Sequence, residues 1–194
     1  WGVSDPMSLA WLDPPPQAAF KQARSLLEGL DAIDAQGRIT ETGRRMAGFG
    51  LHPRLAHMLI ASEPLGLARE ACKIAALLSE RDILRVGASS GQADLRARLE
   101  VLHGLEGKAG RVRKGTGADT ASARRVIELA RSLEQTLDVR DTRCPADDSA
   151  DQTGLVLAFA YPDRIARRRD ETGGRYLLSG GRGAWLPVTD PLAS

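Results

Sequence analysis

The sequence predicts a mainly α-helical chain that ends in a small β segment. Apolar residues recur at intervals of three and four, the spacing of one helix face, in four stretches between residues 17 and 140. From residue 154 onwards the pattern changes to short apolar runs separated by glycines, which favours strands joined by a hairpin. Aromatic residues make up only 4% of the chain, so its cores must consist mostly of Leu, Ala, Ile and Val.

Residues 1–16 are predicted to form an irregular, proline-rich arm. The Asp-Pro-Pro-Pro run at 13–16 disfavours a helix before it but can begin one near Gln17. Trp1 and Trp11 are interpreted as packing residues of this arm rather than as platforms for nucleotide stacking. The helix that follows presents one apolar stripe to a core. The stripe consists of Phe20, Ala23, Leu27 and Leu30.

Residues 17–63 together predict a compact winged-helix unit, with the order helix, small wing, helix, helix. A polar turn at 34–37 leads into a short strand at 38–39. Thr40 can cap the second helix, which carries Glu41 in its first turn. Pro53 then begins a third helix, at a position where its missing N–H costs nothing.

Residues 64–140 predict a second, purely helical region. An amphipathic helix is expected over 65–80, another around Leu95 to Leu102, and a third that begins near Thr120. The segment 104–119 carries four basic residues among five glycines. It is either a solvated loop or a loop that contacts phosphates.

An acidic linker is predicted over 141–153, where aspartates cluster around Pro145. The β segment is expected to occupy 154–194. Within it, residues 175–179 and 184–187 are predicted as two strands joined by the glycine-rich connection at 180–183.

Three stretches, in collinear order, resemble the region that follows the two motor domains of DEAH-box ATP-dependent helicases. Their sequences are most similar to those of the bacterial HrpB-type branch. The first lies in the winged-helix unit, the second at 75–82 and the third at 161–186. The residues that carry the first are Leu26, Leu27, Leu30, Ala32, Asp34, Gly37, Arg38, Ile39, Thr40, Gly43, Arg44, Met46, Ala47, His52, Pro53, Arg54, Leu55 and Ala56.

This resemblance implies a winged-helix domain at 17–63, a helical ratchet domain at 64–140 and a small OB-like β domain in 154–194. Too few strands fit before the last residue to close an OB barrel, so an incomplete β domain is expected. The chain opens on Trp1 and shows no signal peptide, and we expect it to be a piece of a longer protein.

The resemblance also implies a function. The whole enzyme would hydrolyse ATP to move a single strand of RNA or DNA, with ATP and Mg²⁺ bound in motor domains that this chain lacks. The winged helix would pack on those motor domains. The ratchet would form one wall of the strand channel, with 79–82 near the strand, and the β segment would guard its mouth. From the residues alone, the favoured interpretation of 79–82 is a local cluster of caps and salt bridges.

No catalytic signature is found, so no catalytic residue, cofactor or metal ligand is assigned. The pair Gly107-Lys108 is followed by Ala109 and lacks the earlier glycine of a phosphate-binding loop. No histidine has a histidine or cysteine partner at the spacing of a metal site, and no nucleophile elbow occurs. His52 and His57 are expected to cap or pack around the helix that begins at Pro53.

What remains is binding. Basic side chains interleaved with aromatic rings on a β surface are typical of single-strand binding, and Trp185 lies in this region. In an extended strand Arg167 and Arg169 share one face and Arg168 takes the other. A solvated charged edge that discourages aggregation is the alternative. The nucleic-acid-binding candidates are Arg81, Arg85, Arg111, Arg113, Arg164, Arg167, Arg169, Arg175 and Tyr176.

Two other classes of protein stay open. A winged-helix DNA-binding regulator would read duplex in the major groove, although the helix at 17–30 offers only Lys21 and Arg24 for phosphates. A protein-interaction scaffold would have negligible affinity for nucleic acid. The two dissimilar cysteines, Cys72 and Cys144, suggest no disulfide framework, and no membrane segment is present, so a cytoplasmic location is expected.

Overall fold

A computed structural model describes residues 8–84, 94–107, 117–139, 149–169, 174–187, 190 and 192. It confirms a mainly α-helical fold followed by a small antiparallel sheet. The α-helices are α1 (Gln17–Gly29), α2 (Glu41–Ala47), α3 (Pro53–Ser62), α4 (Ala68–Ser79), α5 (Arg96–Glu106), α6 (Thr120–Thr136) and α7 (Ser149–Ala160). The strands are β1 (Ala166–Arg168), β2 (Arg175–Leu178) and β3 (Gly183–Trp185), and short 3-10 turns span Glu63–Leu65 and Pro162–Arg164.

Helices α1 to α3 occur in the order predicted for the winged-helix unit, a name that is kept below for residues 17–63. Thr40 caps α2, because its side-chain oxygen accepts a hydrogen bond from the Gly43 amide at 2.9 Å. Pro53 occupies the first turn of α3. The wing is smaller than expected: the predicted strand at 38–39 is reduced to one antiparallel bridge between Ile33 and Ile39.

The core extends from α3 through α4 to α5, α6 and α7. Helix α4 lies at its centre, with Ala71, Cys72 and Ile74 fully buried. Lys73 is also buried, and its Nζ lies 3.1 Å from a Glu106 carboxylate oxygen, which joins α4 to α5. A second, smaller core in the winged-helix unit is made of Leu30, Ala32, Met46 and Ala56.

The helix predicted over 65–80 begins later than expected. Gly66 has a φ of +71°, a left-handed conformation that ends the 3-10 turn, and α4 starts only at Ala68. The helices predicted from Gln17, from Pro53 and near Thr120 begin at those residues.

Helix α7 crosses the division predicted between an acidic linker at 141–153 and a β segment from 154. The run that begins the predicted β segment is helical up to Ala160, and α7 packs against α3 and α4. Val156 and Ala160 are fully buried in the large core. The aspartates before residue 154, and Gly154 itself, disfavour a helix in the sequence. Tertiary packing nevertheless stabilises one here. Residues 140–148 lie outside the described part of the chain.

The sheet has the strand order β1-β2-β3 and is antiparallel throughout. The predicted hairpin is present: β2 and β3 are joined by 179–182, with the Leu178 amide donating to the Arg182 carbonyl at 2.9 Å. None of the residues in these three strands is buried. The described helices include none long and apolar enough to span a bilayer.

Candidate nucleic-acid interface

One face of the sheet carries three of the candidate arginines together with an exposed aromatic ring. Arg167 pairs with Leu177, and Arg175 pairs with Trp185 in the antiparallel register. The Arg169 amide donates to the Arg175 carbonyl at 2.9 Å, which continues the pairing by one residue. Since paired residues share a face and alternate residues along a strand do too, all five lie on the same face. We call this set the arginine–tryptophan face.

The ring on this face is accessible. Trp185 is 67% exposed and Leu177 is also exposed. Three guanidinium groups on the same face as an exposed indole give a surface that can neutralise phosphates and stack a base. The sequence places Trp185 in the same region as the arginines but gives no reason to count it among the candidates. The register that pairs it with Arg175 is the signal that identifies it.

Tyr176 lies on the opposite face of the sheet from Arg167, Arg169 and Arg175. Its hydroxyl is 3.4 Å from an Arg168 guanidinium nitrogen, and the Arg168 guanidinium carbon lies 5.9 Å from the centre of its ring. The ring is half-buried. The structure therefore separates Tyr176 from the arginines with which the sequence analysis grouped it.

Arg164 lies at a third location, in the turn between α7 and β1. Its guanidinium carbon is 5.1 Å from the centre of the Tyr161 ring, and Arg54 from α3 approaches the same ring at 5.3 Å. Two cations thus flank one aromatic ring. Arg164 is exposed, but its neighbours make it part of a contact between α3 and the turn.

Arg54 anchors this contact. Its two terminal nitrogens lie 2.5 and 3.1 Å from the two carboxylate oxygens of Asp163, and one of them also donates to the Ala160 carbonyl at 3.0 Å. The hydrogen bond from Arg54 lowers the pKa of Asp163 below its ordinary value. One turn along α3, His57 Nδ1 lies 2.9 Å from the Phe159 carbonyl. His52 caps α3 by accepting from the Arg54 amide at 3.3 Å, so both histidines cap or pack as predicted.

In the helical region, Arg81 is exposed just after α4, and within the described residues it has no hydrogen-bond or ion-pair partner. Its neighbour Asp82 is held by Arg98 from α5, with nitrogen–oxygen distances of 3.0 and 2.6 Å. This hydrogen bonding lowers the pKa of Asp82. Asp82 therefore takes part in a local salt bridge, as one of the two interpretations of 79–82 predicts. Arg85, Arg111 and Arg113 lie outside the described residues.

The winged-helix unit presents an apolar surface of its own. A groove of about 250 Å³ is lined by Leu27, Ile33, Ile39, Met46 and Leu51, among others. Half of the Ile39 side chain is exposed beside it. The arm and α1 expose further apolar side chains: Leu12 is 98% exposed, and no residue of α1 is buried.

The described part of the chain holds no cluster of three or more His, Cys, Asp or Glu side chains that could bind a metal. Burial raises the pKa of the Cys72 thiol to about 12, which keeps it protonated and unreactive at neutral pH.

Comparison with known proteins matches two family models in sequence order. Residues 23–51 match the helicase associated domain (HA2), winged-helix, and residues 52–132 match the helicase associated domain (HA2), ratchet-like. The two matches together span 23–132 without a gap.

Among individual proteins, the chain is 35% identical over 193 residues to the ATP-dependent RNA helicase HrpB of Escherichia coli, covering all of this chain and 20% of that protein. Over 82 residues it is 38% identical to the pre-mRNA-splicing factor ATP-dependent RNA helicase prp22 of Schizosaccharomyces pombe, which is 42% of this chain and 7% of that protein.

Two solved structures of E. coli HrpB are similar over the whole chain. One, a DExH-box NTPase, superposes with a TM-score of 0.72 at 34% identity, and the other, a DEAH/RHA helicase, with 0.69 at 33%. The chain covers 20% and 21% of these structures, so it spans about a fifth of the length of its relative.

Proposed function

The chain belongs to the helicase-associated HA2 family, and from this premise we propose that it is the accessory C-terminal region of an ATP-dependent RNA helicase of the HrpB type. Its role is to pack on the motor domains and to guide a single strand of nucleic acid. The proposal assigns ATP hydrolysis to the motor domains of the full-length protein. No residue of this chain is given a catalytic role.

The observation that carries strand guidance is the arginine–tryptophan face. Arg167, Arg169 and Arg175 supply three positive charges on the same face as the exposed Trp185 ring. Arginine can contact phosphates bidentately, while base–ring stacking accepts any base. A surface of this composition suits a single strand, whose bases are open to stacking, better than a duplex, whose bases stack on each other.

The apolar surface of the winged-helix unit supports packing on the motor domains. The groove beside Ile39 and the incompletely buried α1 leave apolar area exposed in one unit. Relatives of this chain are about five times longer and are named as ATP-dependent RNA helicases. Their remaining length supplies the partner that we propose for this surface.

Strand binding is tested by fluorescence anisotropy of a labelled single-stranded RNA titrated with this chain at several salt concentrations. The double variant Arg167→Ala/Arg169→Ala should bind more weakly and should lower the slope of log affinity against log salt by about 1.4, since each lost phosphate contact contributes about 0.7 for single strands. Trp185→Ala should lower affinity about tenfold at an unchanged slope, because it removes stacking and no charge.

The matched control is Arg44→Ala/Arg124→Ala, which removes two exposed arginines from α2 and α6. It should change the affinity and the slope little. An equal loss in both double variants would mean that net charge, and not the arginine–tryptophan face, drives binding. A preference for duplex DNA would favour a winged-helix DNA-binding regulator, and no binding at low salt would leave only the packing role.

A further inference from the structure

The sheet has no core of its own. The strand residues are exposed or half-buried, with every residue of β1 and β3 exposed. A small sheet without a hydrophobic face is not stable in water by itself. The hydrophobic effect therefore contributes little to fixing this sheet on the helical body, and polar contacts must do so.

Those polar contacts begin at α3. The last carbonyls of α7 lack partners within their own helix, and α3 supplies partners for two of them, from His57 to Phe159 and from Arg54 to Ala160. Arg54 also donates two hydrogen bonds to the Asp163 carboxylate. Only 15% of the Arg54 side chain is exposed, so these bonds are partly shielded from solvent.

The turn at Pro162–Arg164, which Arg54 contacts through Asp163, is hydrogen-bonded to the hairpin. The Ser179 hydroxyl donates to the Pro162 carbonyl at 2.5 Å, and the Ser179 amide donates to the Ile165 carbonyl at 2.8 Å. The Gly180 amide donates to the Asp163 carbonyl at 3.3 Å. A continuous chain of hydrogen bonds thus runs from α3 to the connection between β2 and β3.

We propose that Arg54 is the positioning residue that fixes the arginine–tryptophan face on the winged-helix unit, acting through Asp163 and the hairpin connection. Arg54 lies in α3, among the residues that match the HA2 ratchet-like model, and does not belong to the arginine–tryptophan face. It contacts Asp163, the Ala160 carbonyl and the Tyr161 ring. The consequence for RNA binding rests on the proposed function, whereas the consequence for the sheet does not.

Hydrogen–deuterium exchange of the 194-residue chain, without nucleic acid, tests the structural part. Arg54→Gln and Asp163→Asn should each accelerate exchange of the Ser179 and Gly180 amides about tenfold, while α4 amides keep their protection. The double variant should be no worse than the stronger single variant, since both break one interaction. Arg54→Lys should resemble Arg54→Gln because lysine lacks the bidentate fork.

The control is Arg45→Gln, which breaks the 2.6 Å ion pair between Arg45 of α2 and Glu63 and should leave the Ser179 and Gly180 amides unchanged. Asp163→Asn keeps α3 intact and decides the case if Arg54→Gln fails to fold. Unchanged exchange at Ser179 and Gly180 in Asp163→Asn would overturn the proposal. Equal acceleration across α4 in that variant would overturn it as well.

RNA binding gives the second readout. Arg54→Gln should weaken binding severalfold at an unchanged salt slope, because a positioning residue makes no phosphate contact. A slope that falls as in Arg167→Ala/Arg169→Ala would make Arg54 a contact residue and overturn the positioning role. If the unaltered chain binds no RNA, strand guidance fails, and the exchange experiment still decides whether Arg54 positions the sheet.

Discussion

At the scale of single residues, Gly43 is the position where the winged-helix unit tolerates no side chain. It lies in α2 against the backbone before the wing, and a Cβ there would come 2.0 Å from the Ala32 carbonyl oxygen. Backbone atoms cannot move aside cheaply, so we expect Gly43→Ala to lower the free energy of unfolding by about 3 kcal/mol. Urea denaturation followed by circular dichroism measures this loss.

Gly29 provides the matched control for this prediction. It is also helical, at the end of α1, but a Cβ there meets no atom within 4 Å. Because alanine favours a helix over glycine, Gly29→Ala should be neutral or stabilise by up to about 1 kcal/mol. Similar losses in the two variants would contradict the close approach of α2 to Ala32.

The residue scale also separates what a sequence can predict from what it cannot. Caps are local, so Thr40 and Pro53 could be assigned from their immediate neighbours. Trp185 could not be assigned to the arginine–tryptophan face, since that depends on its pairing with Arg175 across a connection of uncertain length. Arg54 was noted only as part of a motif, because its partner Asp163 lies 109 residues away.

At the scale of elements, the contact between the end of α4 and α5 should make stability depend on pH. The hydrogen bonds from Arg98 lower the pKa of Asp82 from its ordinary 3.8. A group with a lowered pKa in the folded state stabilises the protein fully above its ordinary pKa and loses that contribution as the pH falls through the lowered value. The contribution is therefore complete at neutral pH and disappears in acid.

We expect Asp82→Asn to lower the free energy of unfolding by about 1 kcal/mol at pH 7, a modest loss because the Asp82 side chain is half exposed. The difference from the unaltered chain should shrink between about pH 4 and pH 2. Glu80→Gln, a neighbouring change of the same charge, should have little effect, since Glu80 has no ion-pair partner among the described residues. If the difference in free energy of unfolding between Asp82→Asn and the unaltered chain stays constant with pH, Asp82 acts by packing alone.

Elements were predicted well where their signals were local and poorly where packing decided. Helices α1, α3 and α6 can be predicted from the helical spacing of their apolar residues and from the residues at which they begin. Helix α7 begins among aspartates and contains Gly154, both poor signals, and it gains its stability by burying Val156 and Ala160. The predicted boundary between the acidic linker and the β segment, at 153/154, rests on composition. Composition carries no information about how Val156 and Ala160 pack.

At the scale of the whole molecule, α3 joins the two cores into one body. Ala56 belongs to the winged-helix core, while Met58 and Leu59 belong to the large core. Phe49 and Leu51, which precede α3, pack against both cores. Units that share a buried helix cannot unfold one at a time without exposing that helix, so the two cores should lose their structure together.

We therefore expect one cooperative thermal transition for the helical body, with a calorimetric enthalpy equal to the van't Hoff enthalpy. Leu30→Ala in the small core and Ile74→Ala in the large core should each cost about 2–5 kcal/mol, because both side chains are fully or almost fully buried. Both should shift that same transition to lower temperature without splitting it. Two resolved transitions, with Leu30→Ala moving only one, would show that the winged-helix and ratchet units are energetically independent.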